Sequence, residues 1–217
     1  MATLYNIHPK TPQPRDVEAV KDALRQGAIM LYPTDTVYAI GCDLTAKSAI
    51  KQVRQLKQLA NDKPLTFLCS SLSNIANYAH VSDPAYRIIK HLIPGPYTFL
   101  LPATKSVPKL VLNPKRRTSG IRVPNSPLCK ALIEAIDNPI ISTSALSIAR
   151  NSTEDDTEAL SKAELFDRME KLVDVIVDND SELSYQVSTI LDLTGSTPLI
   201  TRKGLGWQDA VEWGAEL

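Results

Sequence analysis

The chain has 217 residues, 43% of them hydrophobic, enough to bury a full core as one domain spanning residues 1–217. Its 24 basic and 24 acidic residues cancel, which at face value predicts no anionic partner. The opening MATLYNIHPKTPQPRD lacks the pattern of a signal or transit peptide, and no apolar run reaches membrane-spanning length, so the expectation is a soluble, cytoplasmic protein with no membrane partner.

In chain order, Val17, Val20, Ala23 and Leu24 recur at helical spacing before Gly27, predicting a helix over Pro14 to Gln26 that feeds a strand at Ala28 to Tyr32. Ile50, Val53, Leu56 and Leu59 mark a second helix, and Leu65 to Cys69 is a short strand-like run. Ser71 to Tyr78 and Asp83 to Leu92 read as helices, each opened by a cap-type residue. Strands follow at Tyr97 to Leu101, Gly120 to Val123 and Ile140 to Thr143, with a helix at Leu128 to Ile136 before the last. Ser161 and Glu164 form a capping-box pattern that starts a helix running to about Leu172. Strands at Val173 to Val177, Thr189 to Leu193 and Leu199 to Arg202 complete the series. This alternation predicts an α/β layered fold, and the short connections predict a mixed rather than a purely parallel sheet.

The neutral total conceals a strong separation of charge. Pro84 to Ile133 carries nine Lys and Arg residues and no acid, whereas Glu154 to Glu182 holds eleven carboxylates. A one-signed segment attracts the opposite sign, so phosphates, carboxylates or RNA are the expected partners. Cys42, Cys69 and Cys129 are odd in number and far apart, and His8, His80 and His91 are as dispersed. That pattern predicts reduced structural thiols and no protein-ligated transition metal.

Neither a GxxxxGK[ST] loop nor GxGxxG is present, which excludes both glycine-rich nucleotide cradles. Pro33-Thr34-Asp35-Thr36-Val37-Tyr38 follows a strand, and two hydroxyls with a carboxylate there suit either a small polar ligand or a turn cap. Arg122 in Ser119-Gly-Ile-Arg122-Val-Pro124 is suited to a bidentate grip on an anion, but within an apolar strand a buried ion pair accounts for it equally. Ser142-Thr-Ser144 places two serines on one strand face, a weak signal without a neighbouring His. Ser188-Thr189 with Arg202-Lys203-Gly204 offers hydroxyls and a cation at successive strand ends, or simply solvated turns.

Taken together and in this order, LYPTDTVYAIGCD (31–43), DKPLTFL (62–68), PGPYTFLLPAT (94–104), RRTSGIRVP (116–124), ISTSALS (141–147) and STILDLT (188–194) resemble the YrdC/YciO family, most closely its single-domain YciO-like branch. The resemblance implies a YrdC-like fold, a single twisted open mixed α/β sheet with helices on its faces and a basic cavity. It also implies synthesis of threonylcarbamoyl-adenylate from L-threonine, bicarbonate and ATP, with Mg²⁺, for tRNA threonylcarbamoyladenosine modification. By motif position Thr34, Thr36, Arg122, Ser142 and Ser188 would hold threonine, with Arg122 on its carboxylate. Lys57, Lys63, Ser144 and Arg202 would line the adenylate and phosphate region, and Lys57, Arg122 and Ser144 would act in catalysis. Three departures stand out: the family's synthases carry Lys-x-Arg and Ser-x-Asn where this chain has Lys57-Gln-Leu59 and Ser144-Ala-Leu146, and Leu68 replaces a frequent His.

Three readings are therefore open. One is a synthase-like nucleotidyltransferase. Another is a tRNA- or double-stranded-RNA-binding protein using the exposed turn Lys115-Arg116-Arg117. The third is a protein that has lost its ATP-handling residues and binds or hydrolyses the threonylcarbamoyl modification in RNA.

Overall fold

The computed structural model describes residues 1–57, 65–113, 115–146 and 160–217. Ten strands form a single sheet: β1 (Thr3–Asn6), β2 (Met30–Tyr32), β3 (Ala39–Asp43), β4 (Thr66–Leu68), β5 (Tyr97–Pro102), β6 (Thr118–Arg122), β7 (Ile140–Ser144), β8 (Val175–Asp178), β9 (Thr189–Asp192) and β10 (Leu199–Arg202). Their spatial order is β1-β8-β2-β3-β7-β4-β6-β5-β9-β10. The sheet is open and mixed as expected: β1, β2, β4 and β5 pair in parallel with β8, β8, β6 and β9, and the remaining neighbours are antiparallel.

Helices pack on both faces. On one, α1 (Pro14–Arg25) and α5 (Pro127–Ile136) bury Val20, Leu24, Leu128 and Leu132 against Met30, Tyr32, Ile140 and Val175. On the other, α2 (Lys47–Leu56), α3 (Leu72–Tyr78), α4 (Asp83–Leu92) and α6 (Lys162–Met169) contribute Ile50, Val53, Ile75, Ile89 and Leu165 to a larger core with Ile40, Phe67, Phe99 and Ile121. A short α7 (Trp207–Glu212) follows β10. Among the described residues no helix is long and apolar enough to cross a membrane.

Most expected elements are present with shifted ends. The Ser161–Glu164 capping box forms in full, although α6 stops at Met169 rather than near Leu172. Ser71 caps α3, but Ser82 rather than Asp83 caps α4. Three elements had no forecast. β1 is a four-residue edge strand, α7 is a six-residue helix, and β3 is buried along its whole length, which removes the alternation by which a half-buried strand is recognised.

Candidate functional site: a basic cavity over the sheet

α1 and α5 cover only part of their face of the sheet. Over the rest, one row of the ladder carries small or short polar residues in register, Ser142 opposite Thr66 and Thr66 opposite Gly120, with Leu100 beyond Gly120. Side chains of this size cannot fill the space above the strands, and a cavity of about 510 Å³ remains. That is within the usual range for a small-molecule site. Its lining holds Lys57, Arg122 and Arg202 and, among the described residues, no carboxylate.

Thr34, Thr36, Lys57, Arg122, Ser142, Ser144, Ser188 and Arg202 all line this one cavity. They arrive from the β2–β3 loop, the C-cap of α2, β6, β7, the residue before β9 and the end of β10. Lys63 and Leu59 lie outside the described residues. Lys115, Arg116 and Arg117 are exposed in the β5–β6 connection, apart from the lining.

The β2–β3 loop is folded on itself. The Thr34 hydroxyl donates to the Val37 carbonyl at 2.7 Å and accepts from the Thr36 amide at 3.1 Å. Arg122 donates through Nη1 to the Thr36 hydroxyl at 2.9 Å and through Nη2 to Asp35 Oδ1 at 2.5 Å. Asp35 Oδ2 accepts from the Asn125 amide at 2.9 Å. The Asp35 carboxylate therefore faces Arg122 and not a ligand. The ion pair weighed as an alternative for Arg122 exists, and the same arginine also lines the cavity. Its Nε is buried without a partner among the described residues. A buried donor in that state costs about 1–3 kcal/mol, which a ligand acceptor would recover.

On the opposite wall Arg202 donates to the Ser188 carbonyl from Nε and Nη2, at 3.0 and 2.8 Å, and to the Ser188 hydroxyl at 3.0 Å. Burial, and next the nearby Arg122 charge, push the Arg202 guanidinium below its ordinary value. Two cations facing one space favour an anion between them. Gly204 makes the packing behind Ser188 possible, since a Cβ there would meet the Val187 carbonyl oxygen at 2.4 Å. Lys57 Nζ donates to the Ser144 carbonyl at 3.0 Å, joining α2 to the end of β7.

Two residues that sequence reasoning passed over support these groups. Tyr32, wholly buried, donates to Ser142 Oγ at 2.7 Å. Desolvation raises its hydroxyl pKa, so it remains a donor and the Ser142 proton is left for the cavity. Thr98 shares a hydrogen bond of 3.0 Å with the Ser188 hydroxyl. Thr98 stands out as the one short hydroxyl side chain in the aromatic and aliphatic run Tyr97–Pro102, whereas Tyr32 reads as ordinary core.

The basic turn is tied to the same sheet. Arg116 donates to Asp192 at 2.8 Å, and Asp192 lies in register with the cavity residue Leu100. Burial works to raise the Asp192 pKa, but hydrogen bonds from Thr194 and the Arg116 charge outweigh it and hold the carboxyl below its usual range. Of the altered positions, Leu68 forms part of the cavity wall and Leu146 is buried beyond Ser144. Cys42, Cys69 and Cys129 are free and buried, and no cluster of three metal-binding side chains occurs among the described residues.

An open mixed sheet carrying a cation-rich cavity, acid-free among the described residues, on its uncovered face defines the protein as an α/β protein of the mixed-sheet class. Residues 22–204 match the family model Sua5_yciO_yrdC, described as telomere recombination, and the chain belongs to this family. The uncharacterized protein YciO of Escherichia coli (strain K12) is 38% identical over 206 residues, covering 95% of this chain and 97% of that protein. The crystal structure of E. coli YciO superposes with a TM-score of 0.85 at 36% identity, over 95% of this chain and 97% of that one. A threonylcarbamoyl-AMP synthase of Hydrogenovibrio crunogenus is 32% identical over 133 residues, 59% of this chain and 71% of the synthase. The P. abyssi Sua5 structure complexed with L-threonine shares the fold, with a TM-score of 0.81 at 22% identity over all of this chain and 63% of that one.

Proposed function

We propose that the chain binds L-threonine at the Arg122 end of the cavity and ATP along Lys57, Ser144 and Arg202, and forms threonylcarbamoyl-adenylate for tRNA threonylcarbamoyladenosine modification. The observation that carries this reading is the convergence of eight hydroxyl and cationic side chains, distant in sequence, on one acid-free cavity. Relatedness to threonylcarbamoyl-AMP synthases supports the choice of substrates.

In this reading threonine's amine and bicarbonate give a carbamate with loss of water. A carbamate oxygen then attacks the α-phosphorus of ATP, and the bond to pyrophosphate breaks. Mg²⁺ enters with the nucleotide as part of the substrate. The chain's own contribution is position and charge: Arg122 and the threonine hydroxyls orient the amino acid, while Lys57 and Arg202 offset charge developing on the phosphoryl oxygens. Pyrophosphate release on mixing the protein with ATP, threonine and bicarbonate, beside a functional synthase of the family as control, tests this.

One observation favours a second reading. Leu68 in the cavity wall and buried Leu146 present hydrocarbon where the synthases' pattern has groups able to hold phosphate. A cavity keeping the threonine end while losing part of its phosphate grip suits a protein that binds the threonylcarbamoyl group in RNA, and hydrolyses it. The exposed turn Lys115, Arg116 and Arg117, tied to the sheet by the Arg116–Asp192 pair, would then meet RNA phosphates. Threonine binding without pyrophosphate release, together with loss of the modification from tRNA, would select this reading over the first.

A further inference from the structure

The two arginines of the cavity differ in electrostatic character. Asp35 is absent from the lining and stands behind Arg122, with its side chain only 10% exposed and both oxygens engaged, by Arg122 Nη2 and by the Asn125 amide. Arg122 thus lines the cavity from within a neutralised pair, its buried Nε without a partner among the described residues. The contacts of Arg202, by contrast, are all to the neutral carbonyl and hydroxyl of Ser188, so among the described residues its charge has no acid beside it.

We propose that Asp35 is a specificity-determining, positioning residue: it sets the charge that the Arg122 end accepts, admitting a singly charged carboxylate such as that of an amino acid and excluding dianions such as phosphate. The proposal rests on the amino-acid reading of that end. An anion approaching Arg122 is attracted by the guanidinium and repelled by the carboxylate a few ångströms further back. With little water between them the repulsion is not screened, and it doubles for a dianion. A zwitterion carries its own ammonium, which the Asp35 charge attracts. The Arg202 wall has no such filter, which directs phosphate groups to that side and the carboxylate to this one.

The test uses the full chain with Arg202→Gln as background, to remove the other anion-binding wall, and titrates L-threonine and inorganic phosphate by calorimetry, alone and in competition, at a mildly alkaline pH where phosphate is predominantly the dianion and threonine still the zwitterion. With Asp35 present, phosphate should leave threonine affinity unchanged. With Asp35→Asn added, phosphate affinity should rise about tenfold or more. Phosphate should then compete with threonine, whose own affinity moves by no more than about threefold. A residue that merely holds the loop would weaken both probes together, and that result overturns the proposal, as does unchanged phosphate affinity in Asp35→Asn. Competition by phosphate while Asp35 is intact overturns it without recourse to the variant. Failure of the unaltered chain to bind threonine would sink the amino-acid reading instead, and the phosphate affinities would still decide the role of Asp35.

Discussion

Arg122→Ala removes one partner of a pair whose side chains are 9% and 10% exposed. Asp35 would keep only the Asn125 amide, leaving a buried carboxylate without its counter-charge. Breaking a buried pair from one side costs about 3–5 kcal/mol. For a chain of this length 1 kcal/mol shifts Tm by about 2–4 °C, so a loss of roughly 6–20 °C is expected. Asp35→Asn preserves the shape and an acceptor, and Arg122 keeps the Thr36 hydroxyl, so its cost should be nearer 1–3 kcal/mol. The double variant removes both charges and should be more stable than the sum of the single losses predicts, by about 2–3 kcal/mol. Urea unfolding of the four proteins at neutral pH measures this cycle, and threonine binding by the double variant, which still folds, should be abolished. Additivity within about 0.5 kcal/mol would refute the claim that the pair is energetically coupled. Retained threonine affinity would refute the role assigned to Arg122.

Four further outcomes are expected. Leu59→Arg with Leu146→Asn restores two phosphate-holding groups and should raise ATP-dependent pyrophosphate release by roughly ten- to a hundredfold; no gain from a folded double variant would mean that ATP is not handled here. Replacing Lys115, Arg116 and Arg117 by Gln should flatten the slope of log K against log salt for tRNA by about two units rather than three, because Arg116 is already held by Asp192, and equal slopes in fluorescence titrations would remove the turn from RNA binding. Tyr32→Phe deletes the bond to Ser142 and should cost about 0.5–1.5 kcal/mol in unfolding together with a measurable loss of threonine affinity in calorimetry. Burial pushes the Cys42, Cys69 and Cys129 thiols up to about 12. The unfolded chain releases these protons from about pH 8.5, so it binds fewer protons than the native state above that pH and stability falls as pH rises towards 12; a Cys42→Ser, Cys69→Ser, Cys129→Ser protein should show a shallower alkaline decline in urea midpoints.

The sequence by itself determined the elements whose signals are local. The Ser161–Glu164 capping box, the apolar spacing of α1 and α2, and the short strands at β5, β6 and β7 are set by residues within a few positions of one another. Motif order named eight of the lining residues, whereas of the nine cations in the basic segment Arg122 alone reaches the cavity lining. Other features depend on contacts between distant segments. β3 is buried on both faces and so shows no alternation, and β1 and α7 are too short to carry a periodic signal. Whether Arg122 was ligand grip or ion pair could not be read from one strand, because its partner Asp35 lies 87 positions away. The cavity itself exists because Ser142, Thr66 and Gly120 fall in register on three strands. Register is a property of the assembled sheet, and only the tertiary structure decides which small residues meet to leave space.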